Sequence, residues 1–263
     1  MIYVTFFVLL ISFFLFAIRK WELNTKKSIP WSVLMVSLGT IILFFLNNEF
    51  SQLNLTVRII TAVFIPVFIS VLTIAYFFFR DPDRTSPQAE DAILSPADGK
   101  IIYIKEIING EFPIAVKGKN KIPLSEFTSE NFISGKGIQI GIAMTYLHVH
   151  VNRAPIDGKI VRIKRVPGLF NSLKHISSLL ENERVFTQIN SERINLGIVQ
   201  IASRLVRRID SYKKENEKVS IGERIGIIKF GSQVDLLIDK QDIKINAKVG
   251  DEVKAGLTIL AEY

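Results

Sequence analysis

The chain has 263 residues, 33 Lys and Arg against 25 Asp and Glu, and a net charge of +8. It has no cysteine, which excludes disulfides, thiolate nucleophiles and cysteine-bound metals. Three histidines, His148, His150 and His175, are too few for a histidine-rich metal site, so no metal is expected. Positive charge suits nucleic acid or an anionic membrane surface. No nucleic-acid motif is present, so no nucleic acid is expected as a partner, and the apolar N-terminal region points to the membrane.

Three apolar stretches come first: Ile2–Ile18, Ile29–Leu46 and Val57–Phe79. A spanning helix needs about 20 apolar residues, with about 17 as the lower limit. The third stretch meets this and the first two lie near the limit. Two to three transmembrane helices are therefore expected over residues 1–79. The runs are continuous and lack the polar face of a helix in a soluble core. The first lacks a basic leading segment and a small-residue cleavage site, so it reads as a retained helix rather than a signal peptide. Arg19, Lys20, Lys26 and Lys27 crowd the first connection, against Glu22. The second connection, Asn47–Thr56, has no Lys or Arg, and Arg80 and Arg84 follow the third stretch. The positive-inside rule then places the first connection and everything after Arg80 on the cytoplasmic side of the cell membrane. Three spans put the N-terminus outside. A shallow re-entrant pair made by the first two stretches would leave the later domain cytoplasmic as well.

From Asp81 the pattern changes. Lys100–Ile104, Ile138–Ile142, Lys159–Ile163 and Ile225–Ile228 are short, rich in β-branched residues, and separated by Gly, Pro, Asn or Asp. This spacing predicts a mainly-β domain of antiparallel strands over residues 80–263. One short helix fits residues 172–181, and residues 211–219 read as a charged, solvated connection. The tail, Asp242–Tyr263, has strand–turn–strand character, with turns at Val249-Gly250-Asp251 and Ala255-Gly256. It resembles the closing part of a lipoyl-like barrel-sandwich domain.

The residues able to carry chemistry lie at turns and strand ends. Asp98 sits in Ser95-Pro96-Ala97-Asp98-Gly99-Lys100, a run that also serves as an ordinary turn before a strand. His148 and His150, two apart, share one face if their segment is a strand. Arg153 suits an anion such as phosphate, or simply solvent. Lys229–Ile238 is an apolar run with Gly231-Ser232 set into it, and Val234, Leu236 and Ile238 alternate as one buried face. Gly231 lets the backbone take a strained turn just before a hydroxyl, although Gly-Ser also marks simple bulges. Together, Asp98, His150 and Ser232 are the parts of an Asp–His–Ser relay, in which the acid orients the imidazole and the imidazole takes the serine proton. There is no Gly-x-Ser-x-Gly elbow, and Ser232 falls in a strand. Attack on its own preceding carbonyl fits better than attack on an external ester.

Five ordered motifs follow Phe79-Arg80-Asp81-Pro82-Asp83-Arg84. They are Ser95-Pro96-Ala97-Asp98-Gly99-Lys100, His150-Val151-Asn152-Arg153-Ala154-Pro155, Pro167-Gly168-Leu169-Phe170-Asn171, Glu181-Asn182-Glu183-Arg184, and Phe230-Gly231-Ser232. With these the last two thirds of the chain resemble the phosphatidylserine decarboxylase family, in its short bacterial and archaeal branch. The resemblance implies a pyruvoyl-dependent lyase of phospholipid biosynthesis, made as a zymogen that cuts itself between Gly231 and Ser232. In that family the serine hydroxyl attacks the preceding carbonyl to give an ester. Elimination and loss of ammonia then leave a covalent pyruvoyl group, the pyruvate cofactor, on residue 232. The fragments 1–231 and 232–263 stay associated. The implied substrate is phosphatidylserine in the membrane, the product is phosphatidylethanolamine, and the pyruvoyl carbonyl is the electron sink. His150 is the implied donor of the later proton. Longer bacterial members carry a second histidine three positions before the one matching His150. Here Leu147 stands there, and His148 is the candidate replacement. His148, Arg153, Phe170 and Asn171 are the implied substrate-binding residues. His175 is expected on a helix in a structural role, and Glu183 and Arg184 are expected to pair with each other or with a strand end.

Other readings stay open. An archaetidylserine-like ether lipid is an alternative substrate. A non-enzymatic, membrane-anchored lipoyl-like carrier or scaffold would need a modified lysine at a hairpin tip, for which Lys240 is the candidate. A membrane serine hydrolase using Asp98, His150 and Ser232 is a weaker third reading. A homo-oligomer is compatible with all of them.

Overall fold

The computed structural model describes residues 2–20, 25–87, 89, 91–113, 121–123, 128, 132–133, 135–168, 182–202, 209–229, 232–240 and 242–263. The helix expected at 172–181 and the candidates Phe170, Asn171, His175 and Gly231 lie outside these residues. The chain divides into two compact units: Met1–Phe79 with Thr145–Leu147, and Arg80–Met144 with His148–Tyr263.

The first unit contains three helices, α1 (Ile2–Lys20), α2 (Thr25–Glu49) and α3 (Leu55–Phe79). Their most apolar windows, Ile2–Arg19, Ser28–Glu49 and Leu55–Phe79, hold 18, 22 and 25 residues. At about 1.5 Å per residue the second and third exceed the roughly 30 Å hydrocarbon layer of a bilayer, and the first, about 27 Å, falls at the short end of the range of about 17–25 residues that spans one. Phe6, Leu10 and Phe14 recur at helical spacing and bury one stripe of α1 in a cluster with Met35, Val36, Leu43 and Ala62. Val4, Leu9, Phe16, Ile41, Phe64 and Tyr76 face outward, an apolar exterior suited to lipid. Asn47 donates to the Tyr3 hydroxyl at 3.1 Å and accepts from Arg58 at 2.8 Å, a polar tie across all three helices.

The second unit is built of short antiparallel strands. In chain order they are β1 (Ala92–Leu94), β2 (Gly99–Ile107), β3 (Glu111–Pro113), β4 (Lys121–Pro123), β5 (Gly137–Met144), β6 (Val151–Arg153), β7 (Gly158–Val166) and β8 (Arg184–Asn190). There follow β9 (Asn195–Ala202), β10 (Ile209–Ser211), β11 (Lys218–Val219), β12 (Arg224–Ile228), β13 (Ser232–Ile238), β14 (Lys244–Ile245), β15 (Glu252–Val253) and β16 (Ile259–Glu262). The four sequence runs singled out above lie inside β2, β5, β7 and β12. Eight strands form the main sheet, in the order β11-β7-β8-β9-β13-β5-β2-β15. Val219 and Val253, from its two edge strands, belong to one core cluster with Ile101, Ile142, Leu196 and Leu236. A flat sheet cannot bring both edges to one core, so this sheet curls around it. The charged connection runs from Tyr212 to Glu217, because Lys218 and Val219 pair with Lys159 and Gly158.

Strand β13 is central, paired with β5 and β9 over all seven residues on each side. Val234, Leu236 and Ile238 face the main core, and Leu237 faces a second cluster with Phe186, Val199 and Ile201. That second face also carries a buried polar network. The Asp235 carboxylate accepts hydrogen bonds from Tyr103 (2.7 Å), Gln139 (2.5 Å) and Gln233 (2.7 Å). Burial pushes the Asp235 carboxyl up, and the three donors oppose that shift. Gly141 makes the network possible. It pairs with Asp235 in the sheet, and a Cβ there would run into the Tyr103 ring that crosses β5.

The tail is knitted into the domain. β14 and β16 pair with each other, β16 pairs with β1, and β15 pairs with β2. Both expected turns are present, with Gly250 and Gly256 at positive φ.

Candidate active site

Ser232 opens β13, opposite Met144 of β5 and Ala202 of β9. One strand further on, Lys100 of β2 pairs with Ala143, so the start of β2 lies at the same end of the sheet. Strands in a sheet are about 4.8 Å apart, so two strand steps put the Asp98 turn roughly 10 Å from Ser232 along the row.

His150 reaches this end by another route. The Ile228 amide donates to the His150 carbonyl at 3.2 Å, where β12 runs alongside β6. Ile228 is four residues before Ser232, so His150 flanks the segment that leads into the Gly231–Ser232 bond. β6 is in turn tied to the Asp98 turn. The Arg153 amide donates to the Pro96 carbonyl at 2.9 Å, and the Asn152 side chain donates to the same oxygen at 3.3 Å. The three segments carrying Asp98, His150 and Ser232 therefore converge on one end of the domain.

Asp98 is buried and held on several sides. Arg84 grips it as a fork, Nη1 to Oδ1 at 2.5 Å and Nη2 to Oδ2 at 2.9 Å. The Ala255 amide donates to Oδ1 at 2.8 Å. The His150 ring is also buried, and its Nδ1 lies 2.8 Å from the His148 carbonyl oxygen. A carbonyl only accepts, so this bond puts the proton on Nδ1 and leaves the lone pair on Nε2. Burial pushes the imidazole down from its ordinary 6.5 to about 4, while the nearby Asp98 charge works weakly the other way. The His150 ring is thus neutral at physiological pH. Its Nδ1–H donates to the His148 carbonyl, and the Asp98 charge weakly favours the protonated ring.

His148 and His150 do not share a strand face. Before Val151 the chain turns at Tyr146 and Leu147, bends at His148 and has no regular structure at 149–150, so it lacks the alternation of a strand. His148 is partly exposed, with Nε2 3.3 Å from a Glu252 carboxylate oxygen, whereas His150 points into the protein. Arg153 is buried and spent internally, donating to Gly222 O (2.9 Å), Pro82 O (2.9 Å) and Asp81 Oδ1 (3.1 Å). Glu183 pairs with Arg165 at the end of β7, the strand-end alternative of the two expected, and Arg184 donates to the Asn182 carbonyl.

Asn182 is a residue the sequence reading passed over. It is fully buried, and its amide donates to the Ala202 carbonyl at 2.9 Å. The Ala202 amide donates to the Glu183 carbonyl, also at 2.9 Å. Since Ala202 is Ser232's partner in β9, this motif braces the strand beside the serine. The signal was there, an amide inside a charged motif, but its burial is not visible from the sequence. Among the described residues, no group of three or more His, Asp or Glu side chains could hold a metal.

Comparison with known proteins adds the decisive observation. The family model for phosphatidylserine decarboxylase matches residues 71–261, which include all three relay candidates. The chain belongs to the phosphatidylserine decarboxylase family. A phosphatidylserine decarboxylase proenzyme of Desulfotalea psychrophila is 37% identical over 199 residues, covering 74% of this chain and 82% of the relative. A protein of Methanocaldococcus jannaschii, provisionally named archaetidylserine decarboxylase proenzyme, is 41% identical over 194 residues, covering 73% and 91%. A Methanothermobacter thermautotrophicus protein with the same provisional name is 36% identical over 199 residues, covering 74% and 82%. The family match begins inside α3 and runs through the β domain into β16, while α1 and α2 precede it.

Proposed function

We propose that this chain is a membrane-anchored proenzyme that cleaves itself between Gly231 and Ser232 and then decarboxylates phosphatidylserine to phosphatidylethanolamine. The observation that carries the reading is a neutral, buried His150 beside the segment entering Ser232, in a chain of this family. His150 Nε2 takes the proton of the Ser232 hydroxyl. The hydroxyl oxygen bonds to the Gly231 carbonyl carbon, the Gly231–Ser232 C–N bond breaks, and the proton goes to the departing nitrogen. This leaves an ester. Loss of the Ser232 Cα proton then expels the Gly231 carboxylate, and water releases ammonia, leaving a pyruvoyl group on residue 232.

The residues present fit such a group. It would cap the first residue of a buried central strand, in a chain without cysteine. When present, it supplies the sink for the electron pair left behind as carbon dioxide departs. The chain's own residues bind, orient and move protons. His150 rests neutral, so it gives up a proton only after taking one.

Seven paired residues on each side of β13, with β15 on β2 and β16 on β1, support lasting association of fragments 1–231 and 232–263. Three helices long and apolar enough to cross a membrane support an anchor for an enzyme whose substrate is a lipid. The Lys and Arg distribution supports a cytoplasmic catalytic domain. A second substrate reading, an archaetidylserine-like ether lipid, is favoured by the names of the two archaeal relatives. Lys240, the candidate lysine of the carrier reading, has its Nζ 5.3 Å from the Tyr263 ring centre.

The test is direct. Wild-type protein should run on a denaturing gel as two fragments, the smaller with a blocked N-terminus and the mass of pyruvoyl-233–263. Ser232→Ala should remain one chain. Vesicles of phosphatidylserine and of its diether analogue, offered separately, should release carbon dioxide only with processed protein and show which lipid is used. An unprocessed polypeptide that still releases carbon dioxide would overturn the reading.

A further inference from the structure

Residues 80–87, which follow α3, form a strap without regular structure. Asp81, Asp83 and Arg84 each pair with a charged side chain of the β domain. Arg84, with a side chain only 7% exposed, closes a ring with Asp98 and Ala255. Arg84 Nη1 donates to Asp98 Oδ1 and to the Ala255 carbonyl (2.7 Å), while the Ala255 amide donates back to Asp98 Oδ1. Asp81 accepts from Arg153 at 3.1 Å and from Arg224 at 2.5 Å, and Asp83 accepts from Arg224 at 2.7 Å. Ser86 Oγ donates to the Gly256 carbonyl at 2.9 Å. Beside it Gly222 has positive φ, and a Cβ there would overlap the Ser86 hydroxyl.

The anchor points matter more than their number. Arg153 is in β6, three residues after His150. Arg224 is in β12, which runs into Ser232, and Asp98 is the third relay candidate. The strap is therefore fastened to all three segments that converge on the scissile bond. Its order of charges, acid–acid–base at Asp81, Asp83 and Arg84, meets base–base–acid at Arg153, Arg224 and Asp98. A slip that set Asp83 against Asp98 would oppose like charges.

We propose that this strap is a working part of the self-cleavage site, with Arg84 as the positioning residue that holds Asp98. The inference rests on the reading of Ser232 as the self-cleaving residue. Its consequence is that the proenzyme cannot complete its relay until the chain just after the last membrane helix has docked. A fork of two hydrogen bonds fixes a carboxylate in plane and distance in a way that a single ammonium does not.

The experiment uses the full chain, made by cell-free synthesis into vesicles of phosphatidylethanolamine and phosphatidylglycerol, with cleavage followed over time on denaturing gels. Arg84→Gln should cleave at least about tenfold more slowly than wild type, as small misplacements of catalytic groups do. Arg84→Lys restores the charge but not the fork, and should fall between the two while melting close to wild type. Wild-type cleavage rates in Arg84→Gln would overturn the proposal. If Arg84→Gln does not fold, Arg84→Lys decides: slowed cleavage supports a positioning role, and a wild-type rate overturns it. Failure of the underlying reading looks different. There, wild type stays uncut or Ser232→Ala is still cut at 231–232, whatever happens at residue 84.

Discussion

The buried imidazole of His150 makes a prediction with a definite sign. Its folded-state value of about 4 lies below the ordinary 6.5, because burial disfavours the charged ring. Above pH 6.5 the ring is neutral in folded and unfolded chains alike, and its titration does not change stability. As pH falls below 6.5 the unfolded chain takes up a proton that the folded chain refuses, so stability declines. The decline ends near pH 4, where both states are protonated. Some 2.5 pH units at about 1.36 kcal/mol each amount to roughly 3 kcal/mol lost across that window. The assay is denaturant unfolding of the uncut Ser232→Ala protein in detergent from pH 7.5 to 4, compared with Ser232→Ala carrying His150→Gln. The difference between the two curves should grow by roughly 3 kcal/mol toward acid. The rate of self-cleavage in wild type should stay level down to about pH 5 and fall only near pH 4. A cleavage rate that halves near pH 6.5, or an acid loss unchanged by His150→Gln, would refute a buried neutral base at this position.

Three further outcomes are expected. Gly141→Ala should cost about 1–3 kcal/mol by thermal unfolding, since its methyl displaces Tyr103 from Asp235, whereas Gly135→Ala, with open space around it, should cost far less. Tyr103→Phe should lose about 1–3 kcal/mol by leaving a buried carboxylate one donor short, and wild-type stability there would mean that water replaces the hydroxyl. Asn182→Ala should slow self-cleavage by loosening the Ala202 strand beside Ser232, measured as the uncut fraction at fixed times. Unchanged kinetics would confine Asn182 to stability.

Much of the fold was legible because it is written in local periodicity. Continuous apolar runs yield helices α1 to α3, and short β-branched runs between turn residues yield β2, β5, β7 and β12. The alternation of Val234, Leu236 and Ile238 named the core face of β13 correctly. Helix ends were less visible, because polar residues such as Lys20 and Thr25 extend a helix without extending its apolar run. The paired histidines misled for a related reason. A period-two argument holds only in a strand, and the backbone before Val151 turns instead, sending His148 and His150 to different surroundings.

Residue order alone carries the inventory of chemistry: a membrane-length apolar region, a β domain, and an acid, a histidine and a Gly-Ser pair in family-specific motifs. These depend on residue type and near-neighbour spacing, which the chain states outright. Only the tertiary structure decided the partners. Arg84 and Asp98 are 14 positions apart, Asp81 and Arg224 are 143 apart, and Tyr103 and Asp235 are 132 apart. No local rule couples residues at such separations. The tertiary fold brings them together, and it alone sets the burial that disfavours the charged form of the His150 ring.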